Sequence, residues 1–152
     1  MRRTISVLTT AALVLSCVAI VPAAADVLIT KAEADLPSAP GSSGANTRGL
    51  TRGPGIEMVT PNAIQAVTSP MPLRIKFQPR NNVAIDPASV KVIYLKANPV
   101  DLTDRIKRFV TPNGIDMAQA EVPPGTHMMR VDVTDQQGRS SSSVFKVTVS
   151  TR

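Results

Sequence analysis

The sequence predicts an all-β sandwich of about seven short strands, carried behind a signal peptide and a flexible arm. Three observations predict it. From Ile56 onward, apolar and polar residues alternate in short runs, the period-two mark of strands with one buried face. Turn residues separate nearly all of these runs, at a spacing that suits a sandwich of roughly 100 residues. The chain also carries 13 prolines and no long stretch of 3.6-residue period, which leaves little room for helices.

The opening MRRTISVLTTAALVLSCVAIVPAAADV reads as an export signal. Arg2 and Arg3 form a basic start, residues 5–20 are an apolar run, and Pro22 breaks that run before Ala23-Ala24-Ala25. Small residues at −3 and −1 suit a signal peptidase, which places the cut between Ala25 and Asp26. The apolar run is long enough for a bilayer span, which takes about 20 residues, but Pro22 and the alanines favour cleavage over anchoring. Cys17, the only cysteine, follows Val14-Leu15-Ser16, a loose likeness to a lipobox. Lipoprotein anchoring through Cys17 is therefore the alternative to simple release. The expected location is periplasmic or secreted, with no stable membrane insertion after cleavage. A chain cut at Ala25 has no cysteine and holds together without disulfides.

Removing residues 1–25 takes away two arginines and no acid, leaving 15 basic against 11 acidic residues, a net +4. The aromatics are one tyrosine and three phenylalanines, and none sits in a basic cluster that reads as a stacking platform. That combination speaks against a nucleic-acid partner and against a sugar-stacking lectin.

Residues 26–55 are rich in Ser, Gly, Ala and Pro and too poor in apolar residues to offset their ordering entropy. They are expected to form a flexible arm, within which VLITKAEADL has the local capacity for a strand or a helical turn. TRGLTRGPG repeats Thr-Arg-Gly and reads as linker rather than ligand contact.

The predicted elements follow from residue 56. IEMVT (56–60) is a short strand before Pro61-Asn62. LRIKFQ (73–78) turns Leu73, Ile75 and Phe77 inward and Arg74, Lys76 and Gln78 outward. IDPAS (85–89) is a turn. VKVIYLK (90–96) is β-branched and aromatic, the mark of a central strand. VDLTDRI (100–106) is short and charged, an edge strand or strand plus turn. Pro112-Asn113-Gly114 is a turn, and IDMAQAEV (115–122) the next strand. HMMRVDVTD (127–135) sets Met129, Val131 and Val133 on one face, with Met128, Arg130 and Asp132 on the other. VFKVTVS (144–150) closes the chain with Phe145, Val147 and Val149 inward.

The run AEVPPGTHMMRVDVTDQQGRSSSSVFKVTV resembles the last three strands of bacterial immunoglobulin-like and fibronectin type III-like domains. Its corner is Pro123-Pro124-Gly125-Thr126 and its hairpin Asp135-Gln136-Gln137-Gly138. SPMPLRIKF and IDPASVKVIYLK look like earlier strands of that fold, so the resemblance covers residues 56–152. It implies an Ig-like β-sandwich and no particular activity. In outline the chain is also similar to the periplasmic copper carriers of copper-resistance operons. The histidines of that family, at the mature N-terminus and in its D-G-H hairpin, have no counterpart here, where Asp26-Val27 and Gln137-Gly138-Arg139 stand.

His127, the sole histidine, shares parity with Met129, Val131 and Val133. It is expected to turn inward and form a structural corner with Pro124 and Gly125, its ring bonded to nearby backbone. A single histidine falls short of the three or four ligands of a zinc site, and Met128 and Met129 point to opposite faces of a strand. No metal and no cofactor are expected. Asp135 is read as a turn residue bonding its own backbone two positions on. No catalytic residues are assigned: Asp101 and Asp104 do not converge on a strand, and a triad would rest on His127 and one of the serines 140–143 in a flexible turn. Arg74, Lys76, Lys91 and Arg130 share outward positions and form a candidate binding surface, while Arg105, Lys107 and Arg108 cluster in a loop. The expected function is that of a non-enzymatic exported module for binding or envelope structure. Its partner would be an envelope protein or a cell-wall component. The alternative is a periplasmic copper-handling protein.

Overall fold

A computed structural model describes residues 25–40, 52–62 and 65–151. The leader up to residue 24, Cys17 and the first Thr-Arg-Gly lie outside the described residues. The chain is built mostly of strands, arranged in two five-stranded sheets. Its elements in order are β1 (Asp26–Val27), α1 (Lys31–Ala34), β2 (Gly55–Thr60), β3 (Val67–Thr68), β4 (Met71–Gln78), β5 (Lys91–Tyr94), β6 (Val100–Asp101), α2 (Thr103–Ile106), β7 (Val110–Thr111), β8 (Gly114–Glu121), β9 (Gly125–Thr134) and β10 (Ser140–Ser150). One sheet runs β1-β8-β4-β2, with β7 also paired to β8; the other runs β3-β10-β9-β5-β6.

Period-two patterning explains the long strands. β4 alternates strictly, with Met71, Leu73, Ile75 and Phe77 buried and the residues between them exposed. β10 does the same, and β9 alternates from Met129 onward, along an antiparallel ladder from Ser140↔Thr134 to Val149↔Gly125. The inward residues of both sheets meet in one apolar core, with Phe77 from the first sheet and Tyr94, Met129 and Val131 from the second. Burial of such side chains contributes about 1.5–3 kcal/mol each, the main favourable term of a fold without disulfides.

The hairpin from β9 to β10 is closed by Asp135, whose carboxylate accepts from the backbone N–H of Gln137 and of Arg139 and from Arg139 Nε. Burial pushes that carboxyl upward, but the bonds from Arg139 and Gln137 outweigh it and hold the pKa below its usual value.

Four two-residue strands bring the number above the seven expected, because short edge pieces carry too few residues to show a period. The run 100–106 is strand for two residues only; Asp101 Oδ1 then accepts from Thr103 N at 2.8 Å and the chain turns into α2. Serines 140–143 lie in β10, not in a mobile turn, with Ser141 and Ser143 buried.

The larger correction concerns the start of the expected arm, since residues 41–51 lie outside the described residues. Residues 26–38 form a packed strap rather than a flexible arm. β1 pairs in parallel with β8, Asp26 opposite Ala120 and Val27 opposite Glu121. Leu28 and Ile29 follow and are fully buried in the core. Average composition hid this burial, because two adjacent apolar side chains are enough to anchor a short segment that reaches the core. The end of the same stretch is also seated. A Cβ on Gly53 would stand 2.5 Å from Ser140 O, so the backbone at Gly53 passes too close to β10 for a side chain at that position.

Candidate functional site

The polar groups of the molecule converge where the strap crosses one end of the two sheets. Thr30 starts α1 with a capping box: its hydroxyl accepts from Glu33 N, and the Glu33 carboxylate accepts from Thr30 N. Arg105, presented by α2, then grips the same carboxylate through Nη1 and Nη2 at 2.8 and 2.7 Å and donates to Leu28 O at 2.8 Å. The Arg105 bond, reinforced by those from Thr30, outweighs burial and pulls the Glu33 pKa down to about 2. Arg108 pairs with Asp26.

On the other side of the strap, Lys96 is buried. Its Nζ donates to Ala34 O at 2.7 Å and Leu36 O at 2.8 Å, and stands 5.1 Å from the centre of the Tyr94 ring. Tyr94 is itself fully buried, and burial together with the nearby Glu33 charge raises its pKa to about 12.

His127 occupies the corner. Nε2 lies 2.8 Å from Pro123 O and Nδ1 2.9 Å from Tyr94 Oη. A carbonyl only accepts, so Nε2 carries the proton and Nδ1 accepts from the Tyr94 hydroxyl. Burial lowers the His127 pKa, the Pro123 bond partly opposes this, and the Lys96 charge lowers it further. Gly125 permits the corner: its φ of 138° is one that side-chain-bearing residues rarely adopt.

The sequence-derived sites fall into place unevenly. His127 is buried beside Gly125, while Pro124 is exposed at the corner. Asp26 and Ala25 lie at the start of β1. Arg74, Lys76, Lys91 and Arg130 do not form one surface. The first two project from β4 and the last two from β5 and β9, on the outer faces of different sheets. Each is also set against acid: Arg74 pairs with Asp116, Lys76 stands opposite Glu57, and Arg130 bonds the Asp132 that faces Lys91. Parity shows which way a side chain points from its own sheet but not which sheet that is.

Nor are the elements of a triad brought together. His127 pairs with Val147, whereas serines 140–143 pair with residues 131–134, so even Ser143 is about 13 Å away along the strand. Among the described residues, no group of three or more His, Cys, Asp or Glu converges to hold a metal. Met128 and Met129 both are buried, on opposite faces of β9. Glu33 and Lys96 are the residues that sequence reasoning passed over, and Arg105, read there as one of a loop cluster, stands in α2 and is committed to Glu33. The signal for the first was present, since Thr30-Lys31-Ala32-Glu33 has the spacing of a capping box.

No protein-family model, curated protein or solved structure matches the chain. No helix among the described residues is long and apolar enough to cross a membrane.

Proposed function

We propose that the chain is an exported, non-enzymatic Ig-like module for binding or envelope structure. The observation that carries the Ig-like reading is the strand order. β2 joins the sheet of β4 and β8, while β3, a few residues later, joins the other sheet and runs parallel to the last strand, β10. The first edge of the domain is thus split between both sheets, and β5, β9 and β10 form the facing sheet, as the C, F and G strands do in Ig domains. The non-enzymatic reading is supported by the commitments of the polar groups. Both ring nitrogens of His127, both oxygens of Glu33 and two donors of Lys96 are spent on holding the strap and the corner. Export is supported by the basic start, apolar run and Ala-Ala-Ala of the leader.

Expression of the full chain in a bacterial host, followed by fractionation and N-terminal sequencing, tests the reading. A periplasmic or secreted product beginning at Asp26, cross-linked in place to an envelope protein or retained by isolated cell walls, is the expected result. A cytoplasmic product that keeps Met1 would overturn it. Tight copper binding lost on His127→Gln or Met128→Leu would replace it with metal handling.

A further inference from the structure

The buried ammonium of Lys96 has no carboxylate partner among the described residues, and it lines an open cleft. Its Nζ meets two carbonyls of the strap and the Tyr94 ring. The Glu33 carboxylate, whose charge is felt at Tyr94, has both its oxygens held by Arg105 and Thr30. A lysine has three N–H donors, so one remains after the two carbonyls. A cation taken out of water without a counter-ion is costly, and an anion that reaches it gains correspondingly.

The cleft has a volume of about 570 Å³, within the range of small-molecule sites. Its walls alternate in character. Leu36, Pro37, Pro123 and Pro124 supply apolar surface, and Lys96 and His127 lie at its buried side. Lys31 and Asp35 are exposed at its rim. From these observations we infer that the cleft between the strap and the Pro123-Pro124 corner binds a small monocarboxylate, its head on Lys96 and its short apolar stem along the prolines. Asp35 decides between anions. With one carboxylate already at the rim, a singly charged head is accommodated and a dianionic phosphate is repelled. Lys31 adds attraction at the entrance. The ligand site goes beyond the module reading and stands or fails without it, since its test needs no envelope partner.

The sole histidine makes the site observable. His127 faces Lys96 and Tyr94 in the cleft wall, with Lys31 and Asp35 at the rim. A bound carboxylate offsets the Lys96 charge that disfavours the imidazolium, so the His127 titration midpoint moves upward. The experiment is proton NMR of the His127 ring in the exported chain, titrated with butyrate, with butyl phosphate, and with chloride at equal ionic strength. Expected are a saturable shift with butyrate, a raised His127 midpoint, and weaker binding of butyl phosphate. Lys31→Ala, at an exposed position, should weaken butyrate several-fold, and Lys96→Gln should remove the response. Should Lys96→Gln not fold, Lys31→Ala and the chloride series decide alone. A butyrate response no larger than that of chloride, or one unchanged in Lys31→Ala, would overturn the site. Tighter binding of butyl phosphate would overturn the carboxylate assignment.

Discussion

Arg105 holds Glu33 by two near-parallel bonds of 2.8 and 2.7 Å, although the two residues are 72 positions apart. This contact joins the strap to the second helical turn of the domain, and it changes where the folding unit begins. The strap does not tether the domain; it supplies part of the core. Leu28 and Ile29 are buried members of the core, and Arg105 and Lys96 satisfy three strap carbonyls.

Truncation should therefore be costly. Leu28→Ala alone is expected to lower stability by about 2–5 kcal/mol, the usual range for a buried leucine. Removing residues 26–38 also leaves Lys96 and Arg105 without partners. Its combined cost should exceed the margin of roughly 5–15 kcal/mol typical of a domain. Urea denaturation of the two variants checks this, with a truncated chain as cooperative and stable as the full one being the contrary result.

That unit was only partly legible in the sequence. β4, β9 and β10 were readable because a period of two over eight or more residues is a strong signal, and Leu73, Ile75, Phe77, Met129, Val131 and Phe145 are indeed buried. Of the strap, the capacity of VLITKAEADL for a strand or a helical turn was legible, and β1 and α1 use it, but its burial was not, because its two anchoring residues stand among Ala, Ser and Pro and are covered only in the assembled fold. The candidate site was half legible for the same reason. The inward turn of His127 follows from parity, but its hydroxyl partner, Tyr94, comes from a strand 33 positions away. Lys96 is invisible as a buried residue until the strap covers it.

Acid should loosen the strap before the sheets. The Glu33 pKa falls from 4.5 to about 2 on folding, so its folded value is depressed. The stability it contributes is complete above about pH 4.5 and is lost as pH falls toward 2. The protection of the strap amides, their exchange relative to an unfolded chain at the same pH, should fall across that window in the native chain. In Glu33→Gln, which cannot ionise, the same amides should be less protected at neutral pH and their protection should not fall further across that window.

His127 should impose a second, higher window. Its folded pKa lies below the ordinary 6.5, so the unfolded chain takes up a proton first as pH falls. The contribution of the neutral ring is whole above about pH 6.5 and is lost as pH drops through the depressed folded value. His127→Gln, which leaves Tyr94 Oη and Pro123 O with poorer partners, should cost about 1–3 kcal/mol at pH 7.5. It should also flatten the fall in stability just below pH 6.5. Urea midpoints measured across that range in both proteins provide the check, and parallel curves would remove the ring from the account.

One substitution should stabilise the chain. At the end of β2 the pairing with β4 slips between Met58 and Thr60, and the Thr60 hydroxyl is buried there with no hydrogen-bond partner among the described residues. Its oxygen gives up water for nothing, a loss of about 1–3 kcal/mol for an unmet polar group. Valine has nearly the same shape, favours strands and carries no donor or acceptor to leave unpaired. Thr60→Val should therefore raise stability by about 1 kcal/mol, part of the gain being spent on fitting a methyl where an oxygen stood. Because the site is on an edge strand far from His127 and Lys96 in the chain, the change should leave the pH profile as it was. A thermal melt that falls rather than rises would mean that the hydroxyl finds a partner in solution.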